Sequence, residues 1–204
     1  MFTPEFRSHF IEFVPGDTLM TLRLVTNGWK AAADVFINVG VKSGEIIVHS
    51  GNDLDWRIYS GGIRALITRV IFSLNATKVG EYICKFADNL VIVDIPDITS
   101  IGLHAFTCCM SLTAVYLPTT LTSIGNYTFN LCTSLENFDL LHTNLQELGE
   151  MAVAGCLEIK SMTIPDSLRT LGYRVFDGCV KLVPSNINTQ YNDAVVAHLR
   201  SLQN

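Results

Sequence analysis

A short phrase, an aliphatic residue followed by glycine, recurs five times in the middle of the chain. Successive glycines lie 22, 23, 24 and 23 residues apart. Each is followed ten residues later by leucine or isoleucine, and the last four are followed seven residues later by cysteine. A constant period with matching positions is the signature of a protein built from stacked, similar coils. The pairs are Val79-Gly80, Ile101-Gly102, Ile124-Gly125, Leu148-Gly149 and Leu171-Gly172.

A single repeat of this size cannot fold alone. Burying its few apolar side chains contributes on the order of 10 kcal/mol by area. Ordering its backbone costs roughly 25 to 35 kcal/mol. The repeats must therefore stack and share one continuous core, as they do in solenoid proteins.

Each repeat also carries two apolar residues separated by one position, which is the spacing of side chains on one face of a strand. We expect these pairs to point into the core: Val93/Ile95, Val115/Leu117, Phe138/Leu140 and Met162/Ile164. Five or six such strands, about 4.8 Å apart, would make a sheet roughly 25 Å wide. The glycine that follows each strand is expected to start a turn into a short helical or 3₁₀ segment on the opposite face.

The residues that point away from the core on these strands are the predicted partner-binding residues. Tyr116, between Asp94 and Asp139, is the predicted hot spot because tyrosine is an effective amphipathic anchor. The full set is Ile71, Ile92, Asp94, Ala114, Tyr116, Asn137, Asp139, Ser161 and Thr163.

Slot by slot, residues from about 63 to 185 resemble the BspA-like leucine-rich repeats of bacterial surface antigens and large protist families. The shared pattern is I-G-x-x-x-F-x-x-C-x-x-L-x-x-V-x-L-P, which the segment from Ile101 to Pro118 matches closely. The resemblance implies an α/β solenoid, a right-handed superhelix with a parallel sheet on its concave face and short helical segments on its convex face. It implies binding of a protein or peptide and no enzyme activity.

The first 45 residues do not follow the repeat and are predicted to form a helical cap. Asp17 can cap a first helix whose apolar face holds Leu19, Leu22 and Val25. A second helix is predicted from about Trp29 to Val39. Such a cap would seal the open end of the solenoid.

Residues 3–40 also resemble the F-box, a helical motif that docks on the Skp1-type adaptor of a ubiquitin ligase. The resemblance rests on an apolar first segment, a turn and a Val25-x-x-x-Trp29 step, although the usual Leu-Pro opening is absent. It implies a substrate receptor that binds the adaptor through Phe10, Phe13, Pro15, Leu19, Leu22 and Trp29.

Charge and hydropathy exclude several partners. The net charge is -5, and residues 91–185 carry nine acidic and four basic side chains. No basic stripe is available for nucleic acid or an anionic membrane. The sequence has no apolar run long enough to span a bilayer and no secretory leader at its start. We therefore expect a cytoplasmic protein, with a cell-surface antigen or adhesin as the less favoured alternative.

The six cysteines and five histidines do not form a recognisable catalytic or metal site. Cys109, Cys132, Cys156 and Cys179 occupy one repeat position, as small buried residues would. There is no C-x-x-C with a paired histidine, no nucleophile elbow and no phosphate loop. We expect neither a cofactor nor an enzyme activity. The glycosylation sequons at Asn75 and Asn126 are short patterns that also arise by chance.

The chain thus divides into a helical cap at 1–45, a solenoid at 46–185 and a capping helix at 186–204. Asn192 or Asp193 can cap that last helix, whose apolar stripe would be Val195, Leu199 and Leu202. The sequence leaves three functions open: a protein-interaction module, an F-box-like substrate receptor and a surface antigen. It leaves the oligomeric state open as well.

Overall fold

The computed structural model describes residues 68–72 and 76–182, except for the side chain of Ile71. It also describes the backbone of strands at 9–14, 20–26, 35–39, 45–48 and 187–188. Among the described residues there is no helix that is long and apolar enough to cross a membrane.

The N-terminal part contains an antiparallel sheet where helices were predicted. Its strands are β1 (His9–Val14), β2 (Met20–Thr26) and β3 (Val35–Val39), in the order β1-β2-β3. The helical prediction is therefore wrong for these residues, which include most of the predicted first helix and the end of the second. From Met20 the apolar residues recur at every second position, a period that favours a strand over a helix.

Two parallel sheets run through the repeats, and the coils between residues 69 and 148 each contribute one strand to both of them. The first sheet contains β4 (Glu45–Val48), β5 (Arg69–Phe72), β7 (Ile92–Asp94), β9 (Ala114–Tyr116) and β11 (Asn137–Phe138). The second contains β6 (Lys78–Val79), β8 (Ser100–Ile101), β10 (Ser123–Ile124), β12 (Glu147–Leu148) and β14 (Thr170–Leu171). The first sheet confirms the predicted parallel ladder, whereas the second was not predicted.

The next strand of the repeat, β13 (Met162–Thr163), does not continue the first sheet. It pairs in parallel with β15 (Ile187–Asn188) instead. The segment 186–204, predicted as a capping helix, therefore contains a strand near its start. The helix expected from about Asn192 lies outside the described residues.

Consecutive turns, and not a helix or 3₁₀ segment, connect each strand of the second sheet to the next part of the coil. In one coil the amides of His104, Phe106 and Cys108 donate to carbonyl groups of the following coil at 2.8 to 3.0 Å. His104 and Cys108 have left-handed φ values of 54° and 61°. The φ values change hand at every fourth residue of the turns, and alternate amides point out of the coil, whereas a helix would keep them inside. In the part of the chain that the structure describes, the other non-glycine residues with positive φ are Tyr82, Phe86, Tyr127, Leu131, Met151 and Arg174.

The core lies between the sheets and the turns and repeats from coil to coil. The predicted inward residues Val93, Val115, Phe138 and Met162 are at most 4 % exposed. Four residues after the glycine, the rings of Phe106 and Phe129 stack with centroids 5.3 Å apart. The prediction that each coil packs on its neighbours through matching apolar positions is confirmed.

The repeated cysteines form a ladder of buried thiols. The Sγ atoms of Cys109, Cys132, Cys156 and Cys179 each donate to a backbone carbonyl of the preceding coil at 3.2 Å. The acceptor is always the residue four after the glycine of that preceding coil. All six cysteines are buried and free. Cysteine suits this position because it is small and apolar yet supplies a weak donor.

The repeated glycines form a column in which successive backbones touch. A Cβ atom on Gly102 would lie 2.8 Å from the carbonyl carbon of Gly80. A Cβ atom on Gly149 would lie 2.5 Å from the amide nitrogen of Asn126, and one on Gly172 only 2.3 Å from that of Glu150. These distances are too short for any side chain, so the pattern requires glycine for space.

We predict that Gly149→Ala lowers the free energy of unfolding by about 3 kcal/mol or more, because the coils must separate to admit the methyl group. Gly178→Ala is the matched control. Its Cβ would meet Gly155 only at 3.5 Å, so the cost is the left-handed φ of 72°, about 1 to 2 kcal/mol. Urea denaturation measures both, and equal losses would contradict the spatial role of the column.

We also predict that the protein loses stability above pH 9. Burial raises the pKa of Cys132 well above its ordinary value of 9.0 and raises the pKa of Cys179 to about 11. The unfolded thiols therefore lose their protons first as the pH rises. Each such thiol contributes stability that is fully present below pH 9 and declines above it by about 1.4 kcal/mol per pH unit.

Urea midpoints between pH 7 and pH 10.5 test this prediction. Cys132→Ala should be less stable than the wild type at pH 7 but should lose less on the way to pH 10.5. Parallel pH profiles for the two proteins would contradict it.

Candidate functional site

The outward side of the first sheet presents a row of side chains on a hydrogen-bonded frame. Parallel pairing places Asp94 beside Tyr116 and Ala114 beside Asn137. Because side chains alternate along each strand, the residues flanking the buried positions all point outward. We call this surface the strand face. Its described residues are Arg69, Ile92, Asp94, Ala114, Tyr116, Asn137, Asp139, Ser161 and Thr163.

The exposure of the strand face agrees with the outward orientation predicted from the sequence. Tyr116 is 74 % exposed and Ile92 is 42 % exposed, whereas Val93 and Val115 on the same strands are buried. Ile71 belongs to β5, but its side chain lies outside what the structure describes. Ser161 and Thr163 belong to the region of β13, which is not hydrogen-bonded to the first sheet. The continuous part of the described face therefore runs from β5 to β11.

One charged residue of the strand face was missed by sequence reasoning. Arg69 lies two positions before Ile71, so the two-residue alternation of the strand could have identified it. Its guanidinium binds Asp94, with Nε 2.7 Å and Nη2 2.6 Å from Oδ2. Both side chains are about 40 % exposed, so this pair positions its carboxylate more than it stabilises the fold.

The second carboxylate of the strand face has a different environment. Asp139 follows β11 and is exposed, and its Oδ1 accepts a hydrogen bond of 2.9 Å from the amide of Leu141. No ion pair links Asp139 to a basic side chain within the described part of the chain. The register of β9 and β11 pairs Val115 with Phe138, and Asp139 is the next residue after that pair, as Tyr116 is on β9. Since β9 lies between β7 and β11, Tyr116 has the ion-paired Asp94 on one side and the end of β11, with Asp139, on the other.

The glycine column opens into a groove that sequence reasoning did not predict. Its volume is about 850 Å³, and its floor is the row of glycine backbones. On one side the groove is lined by the first residue of each strand of the second sheet, such as Lys78 and Glu147. On the other side it is lined by residues that follow the glycines, such as Glu81, Glu150 and Tyr173. The amides of Gly102, Gly125, Gly149 and Gly172 all donate to the preceding coil. These four glycines therefore offer a ligand no free amide, which makes the groove a weaker candidate site than the strand face.

A stack of rings lies on the turns. His104 stacks between Tyr82 and Tyr127, with centroid distances of 5.2 and 4.9 Å. Its Nδ1 is 3.0 Å from the hydroxyl of Thr107. Burial, together with the nearby Lys85, lowers the pKa of His104. The hydrogen bond from the Tyr127 hydroxyl to Glu150 raises the pKa of that tyrosine. These rings contact one another, so we interpret the stack as a means of joining coils.

In the described residues no three His, Cys, Asp or Glu side chains lie close enough together to bind a metal ion. Of the predicted adaptor-binding residues, Phe10 and Phe13 lie in β1 and Leu22 lies in β2. Pro15, Leu19 and Trp29 lie outside the described residues. The helix pair that an F-box requires is contradicted by β1, β2 and β3.

Comparison with known proteins supports the repeat architecture. The sequence pattern of the BspA type leucine rich repeat region matches residues 64–183 in six copies. The structure is similar to the crystal structure of the leucine-rich repeat protein TpLRR of T. pallidum, with 20% identity and a TM-score of 0.59. That match covers 95% of this chain and 97% of the other. At this identity it shows the fold alone.

Two further crystal structures align less closely. A leucine-rich repeat protein from Bacteroides ovatus has 18% identity and a TM-score of 0.48, and the match covers 90% of this chain and 52% of that one. A leucine rich cell surface protein from Faecalibacterium prausnitzii has 15% identity and a TM-score of 0.49, covering 84% and 53%. No curated protein matches the chain. Because the six-copy match spans more than half of its residues, the chain belongs to the BspA type leucine-rich repeat family.

Proposed function

We propose that this protein is a non-enzymatic binding module that holds a protein or peptide ligand on its strand face. The observation that carries the proposal is the exposure of Tyr116, the largest outward side chain of the face, at 74 %. In the free protein this large ring exposes apolar surface to water, which is unfavourable. Tyrosine is also among the residues that contribute most to binding when an interface covers them.

The rigidity of the frame supports the same proposal. From β5 to β11 each strand of the face is hydrogen-bonded to the next, and the central inward side chain of each is buried. A ligand that binds such a surface does not have to order it, which removes one of the main entropic costs of association. Four strands about 4.8 Å apart offer a contact suited to an extended peptide or the edge of a small domain.

The chemistry of the face argues against catalysis. Asp94 and Asp139 lie on different coils of an open sheet, where solvent is not excluded. Catalytic carboxylates are usually found in enclosed sites that shift their pKa values. Leucine-rich repeat domains in general bind proteins, and the family to which the chain belongs supports that class of function.

The cellular location remains a prediction, with cytoplasm favoured and the cell surface as the alternative. Brief protease treatment of intact cells, followed by immunoblotting, distinguishes the two. Loss of the protein before lysis would place the ligand outside the cell. Protection until lysis would favour the cytoplasm.

We predict that Tyr116→Ala weakens capture of the physiological partner by about 30-fold, the effect of losing a central anchor. The partner is identified first by photo-crosslinking from a reactive residue at Asn137 and mass spectrometry. Binding of that partner to purified variants is then measured by interferometry.

Tyr173→Ala is the matched control, because Tyr173 is 65 % exposed but lies in the second-sheet groove. It should bind as the wild type does. Full capture by Tyr116→Ala, with an unchanged circular dichroism spectrum, would contradict the proposed function.

A further inference from the structure

Two of the three well-exposed aromatic rings in the described residues have a cationic side chain close to the ring, and the third does not. In the described residues three large aromatic side chains are well exposed: Phe86, Tyr116 and Tyr173. The ammonium of Lys85 lies 5.2 Å from the ring centroid of Phe86, and the guanidinium of Arg174 lies 5.5 Å from that of Tyr173. Cations at this distance are attracted by the negative face of the ring. Tyr116 is the most exposed of the three.

The unit at Tyr173 shows how a ring and a carboxylate hold a cation together. Arg174 lies over the ring of Tyr173, and its Nε is 3.5 Å from Oδ2 of Asp177. The guanidinium thus contacts both a ring and a carboxylate. This arrangement comprises an exposed tyrosine, an acid and the cation between them.

Tyr116 has the first two parts of this arrangement but not the third. Asp94 lies beside it on β7 and is already bound by Arg69. Asp139, on its other side, accepts only the backbone hydrogen bond from Leu141. Across the residues that the structure describes, no basic side chain lies over the ring of Tyr116 or pairs with Asp139. The strand face therefore offers an aromatic ring and a carboxylate that can bind a cation, and the described residues do not supply that cation.

We propose that the partner supplies this cation, as an arginine or lysine side chain that lies over Tyr116 and pairs with Asp139. The proposal rests on the function proposed above and specifies the chemistry of its ligand. Arginine fits better than lysine, because its planar guanidinium can stack on the ring while its edge pairs with the carboxylate. The ion pair between Arg69 and Asp94 limits the cationic subsite to one side of the ring.

A random dodecapeptide phage library tests the proposal with the full-length protein. The library is panned on the wild type and on the Tyr173→Ala control, which should both select peptides containing arginine or lysine. Selected peptides are then synthesised with the basic residue unchanged or, for arginine, replaced by its neutral isostere citrulline. Their dissociation constants are measured by fluorescence anisotropy.

We expect citrulline to weaken binding about tenfold, the combined effect expected for a cation on a ring and an ion pair. Asp139→Asn should cause a similar loss, Tyr116→Phe should bind nearly as well as the wild type, and Asp139→Lys should reject the cationic peptides. Circular dichroism and thermal melting confirm that each variant is folded.

The two proposals fail in different ways. Peptides that require Tyr116 but bind equally well with citrulline would overturn the cationic subsite and leave the strand-face function intact. Peptides that bind Tyr116→Ala as tightly as the wild type, or a library from which none selected depends on Tyr116, would count against both proposals.

Discussion

The structure depends on how closely successive coils approach along the glycine column. At Gly149 and Gly172 the backbone of one coil lies where a Cβ atom of the next would be. This contact sets the coil spacing that lets two sheets, the turns and the thiols form hydrogen bonds between coils. If the coils moved apart by a fraction of an ångström, all four sets of bonds would lengthen together. The glycines therefore act through distance and not through flexibility.

The sequence predicts those parts of the fold that depend on the order of residues within one coil. Alternation identified the inward residues Val93, Val115 and Phe138 and the outward Tyr116, and the period identified the glycine column. The second sheet was not predicted, because its strands have only two residues each, too few for alternation to reveal them. The left-handed residues of the turns were not predicted either, because their hydrogen bonds join different coils. An isolated His104 would not favour a φ of 54°, which costs an ordinary residue about 1 to 2 kcal/mol. The hydrogen bond of its amide to the carbonyl group of Asn126 helps to compensate for this cost.

In the candidate site, too, local patterns predict some features, whereas contacts between coils decide the others. Its exposed members follow from strand alternation, which also points to Arg69 once the strand is extended by two residues. The pairing of Arg69 with Asp94 could not be predicted, because it joins residues 25 positions apart. At the N-terminus Leu19, Leu22 and Val25 have helical spacing, whereas Met20, Leu22 and Leu24 alternate as in a strand. Cross-strand partners such as Phe13 and Leu22 decide between the two, and no local pattern reveals them.

The direction of the hydrogen bonds has a consequence for how such a chain can change in length. Glycine amides donate to the preceding coil, whereas the amides of the turns donate to the following one. A boundary between any two coils therefore exposes donors and acceptors on both sides, in matching positions. Duplicating or deleting one whole coil would rejoin these groups without a mismatch. Evolution could thus widen or narrow the ligand surface in steps of one strand, while an insertion within a strand would disrupt the register.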